Sequence, residues 1–124
     1  MKLSDESKKQ IMETFFETIE SISDIEYQKR VWIRGEGPEC DDFDETSCFF
    51  LEESESILEN YKDFNITDSQ YSLLKKFADE FENFSYTIGA DYFPEIFISS
   101  SEWEKIVEMA KEVLQAFNYQ KKLE

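Results

Sequence analysis

Apolar side chains recur along this chain at three- and four-residue intervals in several separate stretches, the spacing that lines one face of an α-helix. The first is Ile11, Met12, Phe15, Phe16, Ile19 and Ile22, preceded by Ser4 or Asp5 as an N-cap. A second stripe, Tyr71, Leu74, Phe77, Ala78, Phe81 and Phe84, predicts a helix from about Asp68 to Phe84, with Lys75, Lys76, Asp79, Glu80 and Glu82 turned to solvent. Its start is doubly marked. Thr67 and Gln70 have the spacing of a capping box, and Ile66 and Tyr71 stand at the hydrophobic-staple positions. The third stripe, Trp103, Ile106, Val107, Ala110, Val113, Leu114 and Phe117, predicts a helix to about Asn118. Ser101 and Glu104 have the spacing of a second capping box there, and Lys121 and Lys122 follow its negative end. From Ser54, Ile57, Leu58 and Tyr61 share a face and predict a shorter helix that stops near Asp63, Phe64 and Asn65.

Between these stripes the period changes. In YQKRVWIR, residues 27 to 34, Val31 and Ile33 alternate with Arg30, Trp32 and Arg34 in the rhythm of a half-buried strand. The turn-forming run Gly35-Glu36-Gly37-Pro38 and an acidic segment then lead to SCFFLEE, placed to pair with that strand as an irregular hairpin. SYTIGADYFPEIFISS, residues 85 to 100, has no helical period and holds Gly89 and Pro94, so it predicts a buried, aromatic-rich connector. The expected fold is mainly α: a single compact helical domain over 1–124, with three long amphipathic helices, one short helix, and a short strand or irregular hairpin after the first helix. No internal repeat or domain-separating linker interrupts it.

A chain of 124 residues suits one core. Twelve Phe, six Tyr and two Trp put too much large side chain in it for a disordered acidic tail. No apolar run approaches the roughly 20 residues that span a bilayer, and the first residues are polar where a signal peptide is apolar. A cytoplasmic protein without a membrane partner is therefore expected.

Charge changes the picture most. Asp and Glu number 29 against 13 Lys and Arg, a formal net charge of −16. Such a field repels nucleic acid and anionic lipid and attracts cationic proteins or metal ions. The chain has no histidine, which removes the commonest general base and the usual Ser-His and Cys-His nucleophile pairs. Three glycines make no phosphate-binding loop. An enzyme is not expected, and neither a cofactor nor a metal is called for.

Two motifs invite and then resist a metal. Cys40 and Cys48 lack a Cys-x-x-Cys spacing and any histidine to complete a zinc site; they could close a small disulfide loop, but in a cytosolic chain free thiols are the expectation. From Asp42 to Glu53 the chain carries Asp42, Asp44, Thr46 and Glu53 at the first, third, fifth and twelfth positions of a calcium loop. Ser47 stands where that loop needs glycine, and no helix pattern precedes it.

The densest feature is RGEGPECDDFDETSCFFLEESE, residues 34 to 55, with nine carboxylates from Glu36 onward and no basic residue after Arg34. Carboxylates steer encounter with a cationic protein while an aromatic anchors the desolvated centre. The candidate partner-binding residues are thus Glu36, Glu39, Asp41, Asp42, Asp44 and Glu45, with Phe43 as anchor and Trp32 projecting from the adjoining strand or covering a helix. Like charges crowded together destabilise a compact state, so neutralising Asp41, Asp42, Asp44 and Glu45 is expected to leave stability equal or higher. The expectation is an acidic protein-binding module, a stoichiometric inhibitor or immunity protein that blocks a basic partner such as a nuclease toxin. The alternative is an adaptor or assembly protein that uses an apolar groove, its acidity serving solubility.

Overall fold

The protein is described from a computed structural model over residues 4–38 and 41–119. In chain order the elements are α1 (Asp5–Ser23), α2 (Ile25–Tyr27), a π-helical segment (Gln28–Ile33), α3 (Phe43–Glu59), α4 (Asp68–Tyr86), α5 (Ile88–Asp91), α6 (Pro94–Phe97) and α7 (Ser101–Ala116). The long helices pack α1 on α7, α7 on α4, α4 on α3 and α3 on α1, so that the four enclose one core. α1 contributes Phe15, Ile19 and Ile22, all without exposure, and α7 contributes Trp103, Ile106, Val107, Ala110 and Val113. Between them Phe50 of α3 lies against Phe77 and Phe81 of α4 at ring separations of 5.1 and 4.9 Å, and stacks on Phe15 at 5.5 Å. Each such pair adds about 0.5–1.5 kcal/mol beyond the area it buries.

The helix ends are closed by side chains and by left-handed residues. Ser4, Asp42 and Ser100 accept from the backbone N–H three residues on and so cap α1, α3 and α7. Thr67 and Gln70 form the reciprocal box at α4, with the Gln70 amide to Thr67 Oγ1 at 3.1 Å and the Thr67 amide to Gln70 Oε1 at 2.9 Å. Asn118, at φ 55°, ends α7: its N–H bonds Gln115 O, and Tyr119 N–H reaches back to Leu114 O. This is the double bond of a Schellman turn with asparagine in the position glycine usually takes. Asn65, at φ 59°, makes the same turn before α4 through Asn65 N to Lys62 O and Ile66 N to Tyr61 O.

Four expectations from the sequence are corrected. No strand occurs among the described residues. Residues 27 to 34 wind helically instead, with Arg34 N–H bonding Lys29 O across five residues, and stop at Gly35 in the left-handed region at φ 64°. The buried positions are Gln28, Val31 and Trp32, a helical spacing hidden because its first member is polar. Second, SCFFLEE is not a hairpin arm but part of α3, which begins at Phe43 rather than near Ser54; among the described residues four helices are long, not three with one short. Its inner face reads Phe43, Thr46, Ser47, Phe50, Ser54 and Ile57, and hydroxyls at interior positions masked the stripe. Third, the connector is not buried: Tyr92, Phe93 and Ile96 are 53%, 72% and 58% exposed, and Phe97 alone among its large side chains is core. Fourth, the cap of α7 is Ser100, one residue before the expected Ser101.

Gln28 ties the irregular segment to the rest. Without exposed surface, it donates from Nε2 to Ser21 O and Ile22 O at 2.9 and 2.8 Å, satisfying carbonyls at the end of α1, and accepts from the Trp103 indole. No helix among the described residues is long and apolar enough to cross a membrane.

Candidate functional site

The first turn of α3 positions the acidic run. Asp42 is extended at φ −145° and accepts the Glu45 amide at 2.8 Å, which starts the helix and turns the next residue, Phe43, inward. The Phe43 ring is 5% exposed and meets Phe97 at 4.9 Å, Trp32 at 5.8 Å and Trp103 at 5.9 Å. It is therefore a core residue and not the projecting anchor expected of it. Trp32, 9% exposed, is likewise built into the core, and it projects from a π-helical segment rather than from a strand.

Asp41 is also turned inward. Its Oδ2 accepts from Tyr27 Oη and from Trp32 Nε1, each at 2.9 Å, and its Oδ1 accepts from Thr46 Oγ1 at 2.8 Å. A carboxylate that satisfies three donors from three elements holds the start of α3 to the π-helical segment. These bonds argue against the expectation that neutralising Asp41 is harmless.

The remaining candidates divide between faces. Asp42 and Asp44 look toward the connector, whereas Glu45 lines a groove of about 510 Å³ between α1 and α3, with Thr14, Glu17, Thr18 and Ser21 opposite. Glu36 is exposed and pairs with Arg34 Nε at 3.1 Å, and Glu39 lies outside the described residues. Cys48 is an exposed free thiol on α3, and Cys40 also lies outside the described residues. The stretch once comparable to a calcium loop is helical from Phe43 onward, so its carboxylates fan around a helix instead of converging. Among the described residues no group of three or more Cys, Asp or Glu is placed to hold a metal ion.

What the structure adds is an aromatic surface beside Asp42 and Asp44. α5 seats on Phe43 through Gly89: a Cβ there would stand 2.8 Å from the Phe43 ring, closer than packing allows. Phe93 precedes Pro94, whose ring favours an extended residue before it, and takes φ −77° and ψ 157°. The outcome is a cleft of about 380 Å³ with the buried Trp32 and Phe43 on its inner side, Asp42 and Asp44 on one wall, and residues 89 to 95 on the other. Asp91 and Glu95 add two more carboxylates, while Tyr92 and Phe93 stand exposed. Among the described residues no lysine or arginine pairs with Asp42, Asp44, Asp91 or Glu95. Sequence reasoning missed Tyr92, Phe93 and Ile96. The available signal was a Tyr-Phe-Pro run whose apolar members keep no period with either neighbouring helix.

A third groove, of about 640 Å³, runs between α3 and α4, floored by Leu51, Leu58, Tyr71 and Ala78 and walled by acidic side chains. Near it the hydrogen bond from Tyr61 Oη to Asp68 holds the Tyr61 phenol above its ordinary range, and the bond to Asp79 does the same for the Lys75 ammonium. Compared with protein-family models, curated proteins and solved structures, the chain matches none.

Proposed function

We propose that this chain is an acidic protein-binding module that blocks a basic protein stoichiometrically, in the manner of an inhibitor or an immunity protein set against a nuclease toxin. The observation that carries the reading is the adjacency of exposed Tyr92 and Phe93 to carboxylates without ion-pair partners among the described residues, in one cleft. An aromatic anchor ringed by charges of one sign divides the work of binding: the field speeds encounter and the ring slows departure. The aromatic of the site is thus Phe93 with Tyr92, in place of Phe43. The role is binding and not catalysis, since the chain lacks histidine and its net charge of −16 repels nucleic acid and anionic lipid alike.

An adaptor role draws on a different feature, the apolar floor of the α3–α4 groove at Leu51, Leu58 and Tyr71. The two readings part on variants. A basic protein captured on the immobilised chain and eluted by rising salt is purified and mixed back at known ratios. Its own activity should fall to zero at one equivalent. Asp44→Asn with Glu45→Gln should slow association and flatten its salt dependence, and Phe93→Ala should speed dissociation. Full partner activity in a saturated complex excludes inhibition, and binding lost through Leu58→Ser but kept by Phe93→Ala favours the adaptor.

A further inference from the structure

Resting on that reading, we infer that the cleft between the first turn of α3 and residues 89 to 95 receives one arginine side chain of the basic partner. The apolar patch needs an occupant that is itself partly apolar, because Tyr92 and Phe93, which line the cleft, expose more than half their surface. The rim needs a cation, because Asp42, Asp44, Asp91 and Glu95 have no basic partner among the described residues. A long basic side chain meets both demands: its methylene stem lies along the aromatic wall while its head reaches the carboxylates.

Arginine fits better than lysine on three grounds. Its guanidinium is planar and stacks on rings, and Tyr92 and Phe93 are the exposed rings of the cleft. It donates through a fork that two carboxylate oxygens accept side by side, and among the described residues Asp42 has only Oδ1 engaged, by the Glu45 amide. It is also more weakly hydrated than an ammonium, and so loses less on entering a cleft that backs onto the buried rings of Trp32 and Phe43. Gly89 sets how closely α5 approaches the ring behind the cleft: a Cβ there would stand 2.8 Å from Phe43, so one of the two would have to shift.

The test uses the full chain and a defined probe. Blocked arginine (N-acetyl-arginine amide) is titrated while the amide signals of residues 89 to 95 and the Trp32 indole signal are followed by NMR, with blocked lysine and the uncharged isostere blocked citrulline as comparators. Saturable shifts confined to those signals are expected, with citrulline about tenfold weaker or worse, since it keeps the shape and loses the charge-assisted bonds. Asp44→Asn with Asp91→Asn should abolish saturation while leaving the Trp103 indole signal, and hence the core, in place. Equal, non-saturating shifts from arginine and lysine spread over all the acidic helices would overturn the inference, as would undiminished arginine binding by the double variant. Either result leaves the basic-protein reading intact, because that reading stands or falls on the capture and inhibition experiment.

Discussion

Trp103 and Gln28, 75 residues apart in the chain, meet inside the core, where the indole Nε1 donates to the amide Oε1 at 2.8 Å. The same amide closes two carbonyls of α1, so a single polar side chain joins α1, the π-helical segment and α7. Replacing it with Leu keeps the volume and removes every bond. Gln28→Leu should destabilise the fold by at least about 1–3 kcal/mol, the penalty of one buried group left unpaired, read as a lower urea midpoint. Trp103→Phe should remove part of the same energy, and the two changes together should cost less than their sum.

Asp41 gives the clearest test of the corrected acidic face. Asn at this position offers one acceptor oxygen and sets an amide N–H₂ against donors from Tyr27, Trp32 and Thr46. Asp41→Asn should therefore cost about 1–3 kcal/mol in thermal or urea unfolding, whereas Asp44→Asn, on an exposed side chain, should stay within about 0.5 kcal/mol. Equal stability of the two variants would show that the hydrogen bonds of Asp41 do not hold the segment.

The seat of α5 on Phe43 is tested by one methyl group. Gly89→Ala places a Cβ against a ring enclosed by Trp32, Phe97 and Trp103, and overpacking of this kind costs about 1–3 kcal/mol. Phe43→Leu in the same chain should recover part of the loss. A Gly89→Ala variant that melts with the parent would mean that the connector yields freely.

In the bundle itself, Phe77→Ala or Phe81→Ala should lower stability by about 3–5 kcal/mol, since both rings have no exposed surface and pack on Phe50. Thr67→Ala should remove about 1 kcal/mol by opening the capping box of α4. Circular dichroism melts check all three.

Much of this fold was legible because α1, α4 and α7 write their inner faces in apolar residues alone. Phe15, Ile19 and Ile22, or Leu74, Phe77 and Phe81, need no tertiary context to be recognised. α3 and the π-helical segment were not legible for one shared physical reason: each spends interior positions on polar side chains. Thr46 and Ser54 are satisfied by hydrogen bonds to Asp41 and to Leu51 O, and Gln28 by its three partners, but those partners are known only once the chain has folded. The acidic character of the candidate site could be read directly. Which carboxylates face outward could not, because Asp41 and Asp42 are neighbours with opposite duties, one an internal acceptor and the other a cap. The aromatic partner of the site stayed hidden because residues 85 to 100 carry no period that tells the exposed Phe93 from the buried Phe97.

The pairing of α1 with α7, the most extensive between any two helices here, also bears on how the chain is made. Synthesis delivers Phe15, Ile19 and Ile22 long before Trp103, Ile106 and Val113, so through most of translation the apolar stripe of α1 lacks its main cover. A chain halted before Ser101 should be degraded rapidly over α1 by a protease that leaves the finished protein alone. In that interval the surplus of negative charge should act without any partner, holding neighbouring nascent chains apart while their phenylalanines are still uncovered.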